Sequence, residues 1–173
     1  MQELVDIVNE HNEVVEVVPR PEMRAMRLPH RASYIVCVNP EGRFLFEIRT
    51  LCKDYAPGLL DACIGGVVQA GEDPKVSARR ELEEEVGLDA SKLQFHDLGT
   101  MRIDYPKDNP RSFLFGYLFL AVGDGITVRQ ASEVSGIMYL NLQEMRRLTA
   151  CFATDSITAF DEILKRAKEK GLL

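Results

Sequence analysis

The segment from Gly66 to Leu88, GVVQAGEDPKVSARRELEEEVGL, constrains this chain more than any other. Asp73 offers a side-chain N-cap, Pro74 suits the first turn, and Gly87 suits the left-handed position that ends a helix. Between them Ala78, Leu82 and Val86 recur every fourth residue and form an apolar stripe. The spacing predicts loop, helix, loop. At ~100° per residue, Glu81, Glu84 and Glu85 fall within roughly 100° of one another, and Glu83 points away. Like charges so placed cost about 0.2–0.5 kcal/mol per pair. A divalent cation reverses that sign, because carboxylate oxygens are natural ligands of Mg²⁺, which also keeps waters and substrate phosphates in its shell. Lys75, Arg79 and Arg80 offer another resolution, a solvated helix neutralised by its own bases.

Around this segment the pattern is mostly strand. Leu4–Val8 and Val14–Val18 are apolar and β-branched and read as a hairpin across Asn9–Asn12. Pro21 can open a short helix to about Arg27. Ala32–Val38 and Phe44–Arg49 are strands joined by the turn sequence Asn39-Pro40-Glu41-Gly42. Thr50–Asp61, with Pro57-Gly58, reads as a loop, and Ala62–Val68 is an apolar run broken by Gly65-Gly66. Leu93–Tyr105 and Ser112–Val122 read as strands flanking a Pro106–Arg111 loop, and Ile137–Leu140 as another strand. Asn141 and Glu144 form a capping box for a helix to about Leu148. The final helix runs from about Asp155 to Lys170, with Ile157, Phe160, Ile163, Leu164 and Ala167 on its apolar face. Strands in the middle with helices at separated places give an α+β pattern, a mixed β-sheet covered by helices.

Bulk properties narrow the partners. A chain of 173 residues defaults to one domain with a substantial core. A formal net charge of −6 argues against general affinity for nucleic acid or anionic membrane, so an anionic substrate needs local basic residues or metal ions. No apolar run reaches membrane-spanning length, and acids stand near the N-terminus where a signal peptide has bases. A cytoplasmic protein is expected. Cys37, Cys52, Cys63 and Cys151 lack C-x-x-C spacing and read as free thiols, and His11, His30 and His96 lack zinc-site spacing. No G-K-[ST] follows Gly65-Gly66, which excludes a P-loop.

Gly66, Glu72, Arg80, Glu81, Leu82, Glu84, Glu85, Gly87 and Leu88 match G-x5-E-x7-R-E-U-x-E-E-x-G-U, with U a bulky aliphatic residue, at every fixed position. At residue frequencies of roughly 5–7%, chance gives such a match on the order of 10⁻⁹ per window. The chain resembles a Nudix hydrolase, with residues 66–88 as the Nudix box. The resemblance implies a Nudix-type α/β/α sandwich over 1–173, with 1–29 as an added N-terminal hairpin extension. It implies hydrolysis of a nucleoside diphosphate linked to another group, with Mg²⁺ or Mn²⁺ as cofactor. Glu81, Glu84, Glu85 and the Gly66 carbonyl would be metal ligands. Glu72 and Arg80 would pair to orient those carboxylates, and Gly87 would end the helix. Glu81 is the first candidate for the proton acceptor, with Glu133 in the loop before a strand as the second.

A narrower resemblance rests on Val5–Glu10, Asn12–Val14, His30-Arg31-Ala32, Arg49, Lys53 and Pro57-Gly58, which look like the branch containing type 1 isopentenyl-diphosphate isomerases. It implies that Arg49 and Lys53 contact a substrate diphosphate. The isomerase cysteine aligns with Ile64, and Cys63 is one place off, which in a strand is the opposite face. Ser112–Leu120 holds no acid where that enzyme has its later glutamate. A hydrolase is favoured, with an isomerase-like enzyme or a non-catalytic nucleotide-sensing domain as alternatives. Tyr34, Phe46, Tyr55, Tyr105 and Phe115 are candidates for stacking on a base or for the core. The expected partner is a small-molecule diphosphate, and the extra hairpin raises, by analogy alone, a homodimer.

Overall fold

The computed structural model describes residues 3–105 and 113–173. β1 (Leu4–Val8) and β2 (Val14–Pro19) form the expected hairpin, a two-stranded sheet of its own, followed by α1 (Arg20–Met26). Then come β3 (His30–Val38), β4 (Phe44–Arg49), β5 (Leu60–Asp61) and α2 (Pro74–Val86). β6 (Gln94–Asp104), β7 (Phe113–Val122), β8 (Val134–Leu140), α3 (Leu142–Arg146) and α4 (Thr154–Glu169) complete the order. The Pro106–Arg111 loop and Ser112 lie outside the described residues. The helix expected to reach Leu148 ends at Arg146 and is followed by a 3₁₀ turn at Thr149–Cys151.

Six strands form the main sheet in the order β5-β4-β3-β7-β6, with β8 on the other edge of β4. β3 and β7 run parallel and β6 and β7 antiparallel, so the sheet is mixed. Side chains of β3 alternate between two cores. Tyr34, Val36 and Val38 pack with Phe160 and Ile163 of α4, whereas Ile35 and Cys37 pack with Ala78, Leu82 and Val86 of α2. The two helices therefore cover opposite faces, each through its periodic apolar stripe, as expected of an α/β/α sandwich. A third cluster, Val5, Ile7, Val18, Met23 and Val67, docks the N-terminal hairpin and α1 against the segment leading to α2.

The expected β3–β4 hairpin forms only beside its turn. The strands pair at Val38–Phe44 and then part. β4 instead runs antiparallel to β8 from Phe44–Leu140 onward and meets β5 at Glu47–Asp61. The vacated edge of β3 is taken by the run after β5: Ile35 and Ile64 exchange both backbone hydrogen bonds, and the Ser33 amide donates to the Gly66 carbonyl at 2.9 Å. Turn chemistry is local, but the partner of a strand is chosen by burial on both its edges. This parting brings Gly65-Gly66 beneath the C-terminal half of α2, against Glu81 and Glu85.

Candidate active site

Local signals position the box helix as its sequence predicts. The Asp73 carboxylate accepts from the Lys75 and Val76 amides, and Gly87 takes φ 72°, which no other residue adopts as cheaply. Leu82 is fully buried and turns the α2 stripe into the sheet, which sets the acidic edge over Gly66.

Arg80 organises that edge. Its Nε and Nη2 donate to the two Glu72 oxygens, each at 3.0 Å, a bidentate fork. Its Nη1 donates to Glu81 at 2.8 Å and to Glu84 at 3.1 Å. Burial raises the Glu72 carboxyl, but the bonds from Arg80 outweigh it and hold the group below the ordinary carboxylate range. Glu81 is raised by burial, only partly offset by Arg80. Glu85 is 3% exposed and accepts from the Gly65 amide at 3.2 Å. Burial pushes it up to about 8 against the pull of Lys53.

Lys53, from the loop after β4, lies 3.5 Å from Glu85 and also pairs with Glu133. Gly66, Glu81, Glu84, Glu85, Glu133 and Lys53 all face one cavity. Among the described residues, no three Asp, Glu, His or Cys side chains gather at metal-ligand spacing. The Arg80 and Lys53 cations stand between these carboxylates instead.

A NUDIX domain family model matches residues 28–160. The chain belongs to the NUDIX family. The Nudix hydrolase YfcD of Shigella flexneri is 43% identical over 164 residues, covering 95% of this chain and 88% of that protein. The Nudix hydrolase PA4841 of Pseudomonas aeruginosa is 36% identical, covering 91% and 90%. Among solved structures, DR0079 of Deinococcus radiodurans superposes with a TM-score of 0.71 at 27% identity over 86% of this chain and 90% of that one. The NUDIX domain of Shewanella oneidensis NrtR, solved with ADP ribose, gives 0.64 at 15% identity, over 88% and 99%, a likeness of fold. The chain is thus an enzyme of the Nudix hydrolase class.

Within the NUDIX fold the remaining expected residues are placed as follows. Arg49 donates Nε and Nη2 to the Tyr55 carbonyl and Nη1 to Asp61 at 2.6 Å. Three of its five N–H groups thus hold the loop after β4 against the sheet. The Gly66 carbonyl accepts from the Ser33 amide at 2.9 Å and from the Ser33 hydroxyl at the longer distance of 3.5 Å. Cys63 packs in the α4 core and Ile64 in the α2 core, so Cys63 faces away from the box. Phe46 is fully buried against Phe152 and Phe160. His30 is 5% exposed, its Nδ1 donates to the Leu28 carbonyl at 2.8 Å, and burial holds it down at about 4. No described helix is long and apolar enough to cross a membrane.

Two residues escaped the sequence reading. Glu47 of β4 is 3% exposed and its Oε1 has no partner. Burial, then the nearby Glu85, raise its carboxyl well above the ordinary range. The signal was available, because Glu47 shares the parity of Leu45, which packs under α2. Arg24 of α1 turns inward to line a second cleft beside the first. A basic residue on a seven-residue helix carries no such signal.

Proposed function

We propose that the chain is a divalent-metal-dependent hydrolase of a phosphoanhydride in a nucleoside diphosphate linked to another group. The supporting observation is the convergence of Glu81, Glu84, Glu85, Glu133 and Gly66 on one cavity. A Cβ at Gly66 would sit 3.1 Å from the Glu81 carboxylate, so glycine there preserves a space beside the acids. The donors fit Mg²⁺ or Mn²⁺: all are oxygens, and Glu81 and Glu85 carry carboxylates that burial disfavours until a cation joins them. Glu81, Glu84, Glu85 and the Gly66 carbonyl, in place of its long contact with the Ser33 hydroxyl, would hold the metal. It would neutralise diphosphate charge and acidify a bound water.

The chain's own residues do the rest. Glu72 fixes the Arg80 fork, and Arg80 in turn sets the directions of Glu81 and Glu84. Glu81 takes the proton from the attacking water, with Glu133 in the same cavity as the second candidate. Lys53, released from Glu133 and Glu85, meets substrate phosphate, while Arg49 keeps the loop that carries it. The ADP ribose held by NrtR, a nucleoside diphosphate joined to a sugar, supports the substrate class.

A panel of nucleotides, nucleotide sugars and dinucleotide polyphosphates with Mg²⁺ or Mn²⁺ tests the reading. Phosphate or monophosphate release should appear in the wild type and vanish in Glu81→Gln and Glu84→Gln. Release no greater than in those variants, on every compound, defeats it.

A further inference from the structure

The second cleft shares Arg20, Lys53, Gly65 and Gly66 with the carboxylate cavity, so the two open into each other across the glycines. Arg20, Arg24, Arg49 and Lys53 all line it, in a chain whose net charge is −6. Clefts that gather one sign of charge against the balance of the whole molecule concentrate ligands of the other sign.

The acids in this cleft are already engaged. Asp155 accepts the Tyr34 and Tyr55 hydroxyls, each at 2.8 Å, and Asp61 accepts Arg49. Arg20 holds Glu3 through Nη1 alone. Arg24 is the least firmly paired of the four cations, with a long ion pair to Asp54. Its Nε is buried without a hydrogen bond, and the nearest carboxylate oxygen, of Asp54, is 3.7 Å away. That separation is too long for a hydrogen bond. The Arg24 side chain as a whole is 25% exposed on this wall, so it can donate to an anionic ligand there.

The cleft is a poor seat for a nucleobase. Arg24 and Arg49 both lie over the Tyr55 ring, at 5.7 and 5.9 Å, and Tyr105 meets that ring edge-on. Tyr34 is buried, with its own ring edge against Gly116. The Tyr55 face is thus covered, and the cations that line the remaining space suit a phosphate group.

We propose that this cleft is a subsite for a terminal phosphate of the substrate, with Arg24 as its specificity-determining residue and Arg20 and Lys53 beside it. The inference rests on the hydrolase reading above and narrows it. The group beyond the scissile anhydride ends in phosphate, and the simplest such compound is a nucleoside triphosphate.

Two measurements decide it. In the first, kcat/KM with Mg²⁺ is compared for a nucleoside triphosphate and a nucleotide sugar of the same base. Wild type should prefer the triphosphate by about tenfold or more, and Arg24→Gln should lose that preference, raising KM about tenfold more for the triphosphate than for the nucleotide sugar. Arg24→Lys, which keeps the charge, should recover part of it. A wild-type preference for the sugar, or equal losses on both compounds, overturns the inference. In the second, metal-free protein is titrated calorimetrically with tripolyphosphate. Binding should weaken about tenfold in Arg24→Gln and not in the surface control Lys165→Gln. If no compound is hydrolysed, the hydrolase reading fails and this titration alone judges the subsite. Equal affinity in wild type and Arg24→Gln overturns it.

Discussion

Lys53 Nζ lies 3.5 Å from Glu85 Oε1, a loop ammonium set against the most deeply buried acid of the box helix. Removing one partner of a buried ion pair costs about 3–5 kcal/mol, because the other charge is stranded. Lys53→Met should lower the metal-free unfolding free energy by about 3 kcal/mol in a urea titration at pH 9, above the Glu85 pKa of about 8, and by less at neutral pH, where Glu85 holds a proton. Mn²⁺ should restore more stability to this variant than to the wild type, since no resident cation competes for Glu85. A variant as stable as wild type without metal would show that the contact contributes nothing.

Glu84 is half exposed, and among the described residues its polar partner is Arg80. Glu84→Gln should therefore shift Tm by no more than about 2 °C. Hydrolysis should fall by about 10³-fold if the carboxylate holds a metal ion. Thermal melts and initial rates on the same preparation separate the two effects.

Arg80 uses both the fork and the outer face of its guanidinium. Lysine keeps the charge and cannot span Glu72 and Glu81 together. Arg80→Lys should cost about 1–2 kcal/mol of stability. It should reduce kcat more than KM, because Glu81 and Glu84 lose their common anchor. A change confined to KM would argue that Arg80 binds substrate instead.

His30 supplies an acid-side prediction. Its pKa is about 4 in the fold and near 6.5 unfolded, so the unfolded chain binds the extra proton between those values. Its contribution is complete above pH 6.5 and is lost as pH falls toward 4, by roughly 3 kcal/mol. Denaturant midpoints for wild type and His30→Gln at pH 7, 5.5 and 4 should converge as the pH drops. Parallel curves would refute the assignment.

Glu85 acts in the opposite sense. Its folded pKa is about 8 against 4.5 unfolded, so metal-free protein holds an extra proton across that window and loses stability as pH rises through it. A divalent cation needs the ionised form. The Tm increase produced by Mn²⁺ should be small at pH 5.5 and larger at pH 8.5. An increase independent of pH would place the cation elsewhere.

What the sequence revealed and what it hid divide along locality. The α2 caps, the Leu82 stripe and the Arg80–Glu72 pair all lie within about two helical turns of their partners, and each carries a short-range signature. The mixed sheet followed from strand runs interrupted by helices. The parting of β3 from β4 did not, because Asn39–Gly42 is a good turn and β4 is captured by β8, which begins more than eighty residues later. The same distance hid Lys53–Glu133 and the inward turn of Arg24. Arg49 was visible as a cation but not as a brace, since its main partners, Tyr55 and Asp61, are joined to it only after the loop folds back.

Asp155 ties Tyr34 and Tyr55 together from the first turn of α4. Synthesis proceeds from the N-terminus, so a nascent chain can complete the box helix while this wall is still missing. The acids proposed to bind metal would thus be gathered on their helix early, and the substrate cleft would close only when the last helix leaves the ribosome.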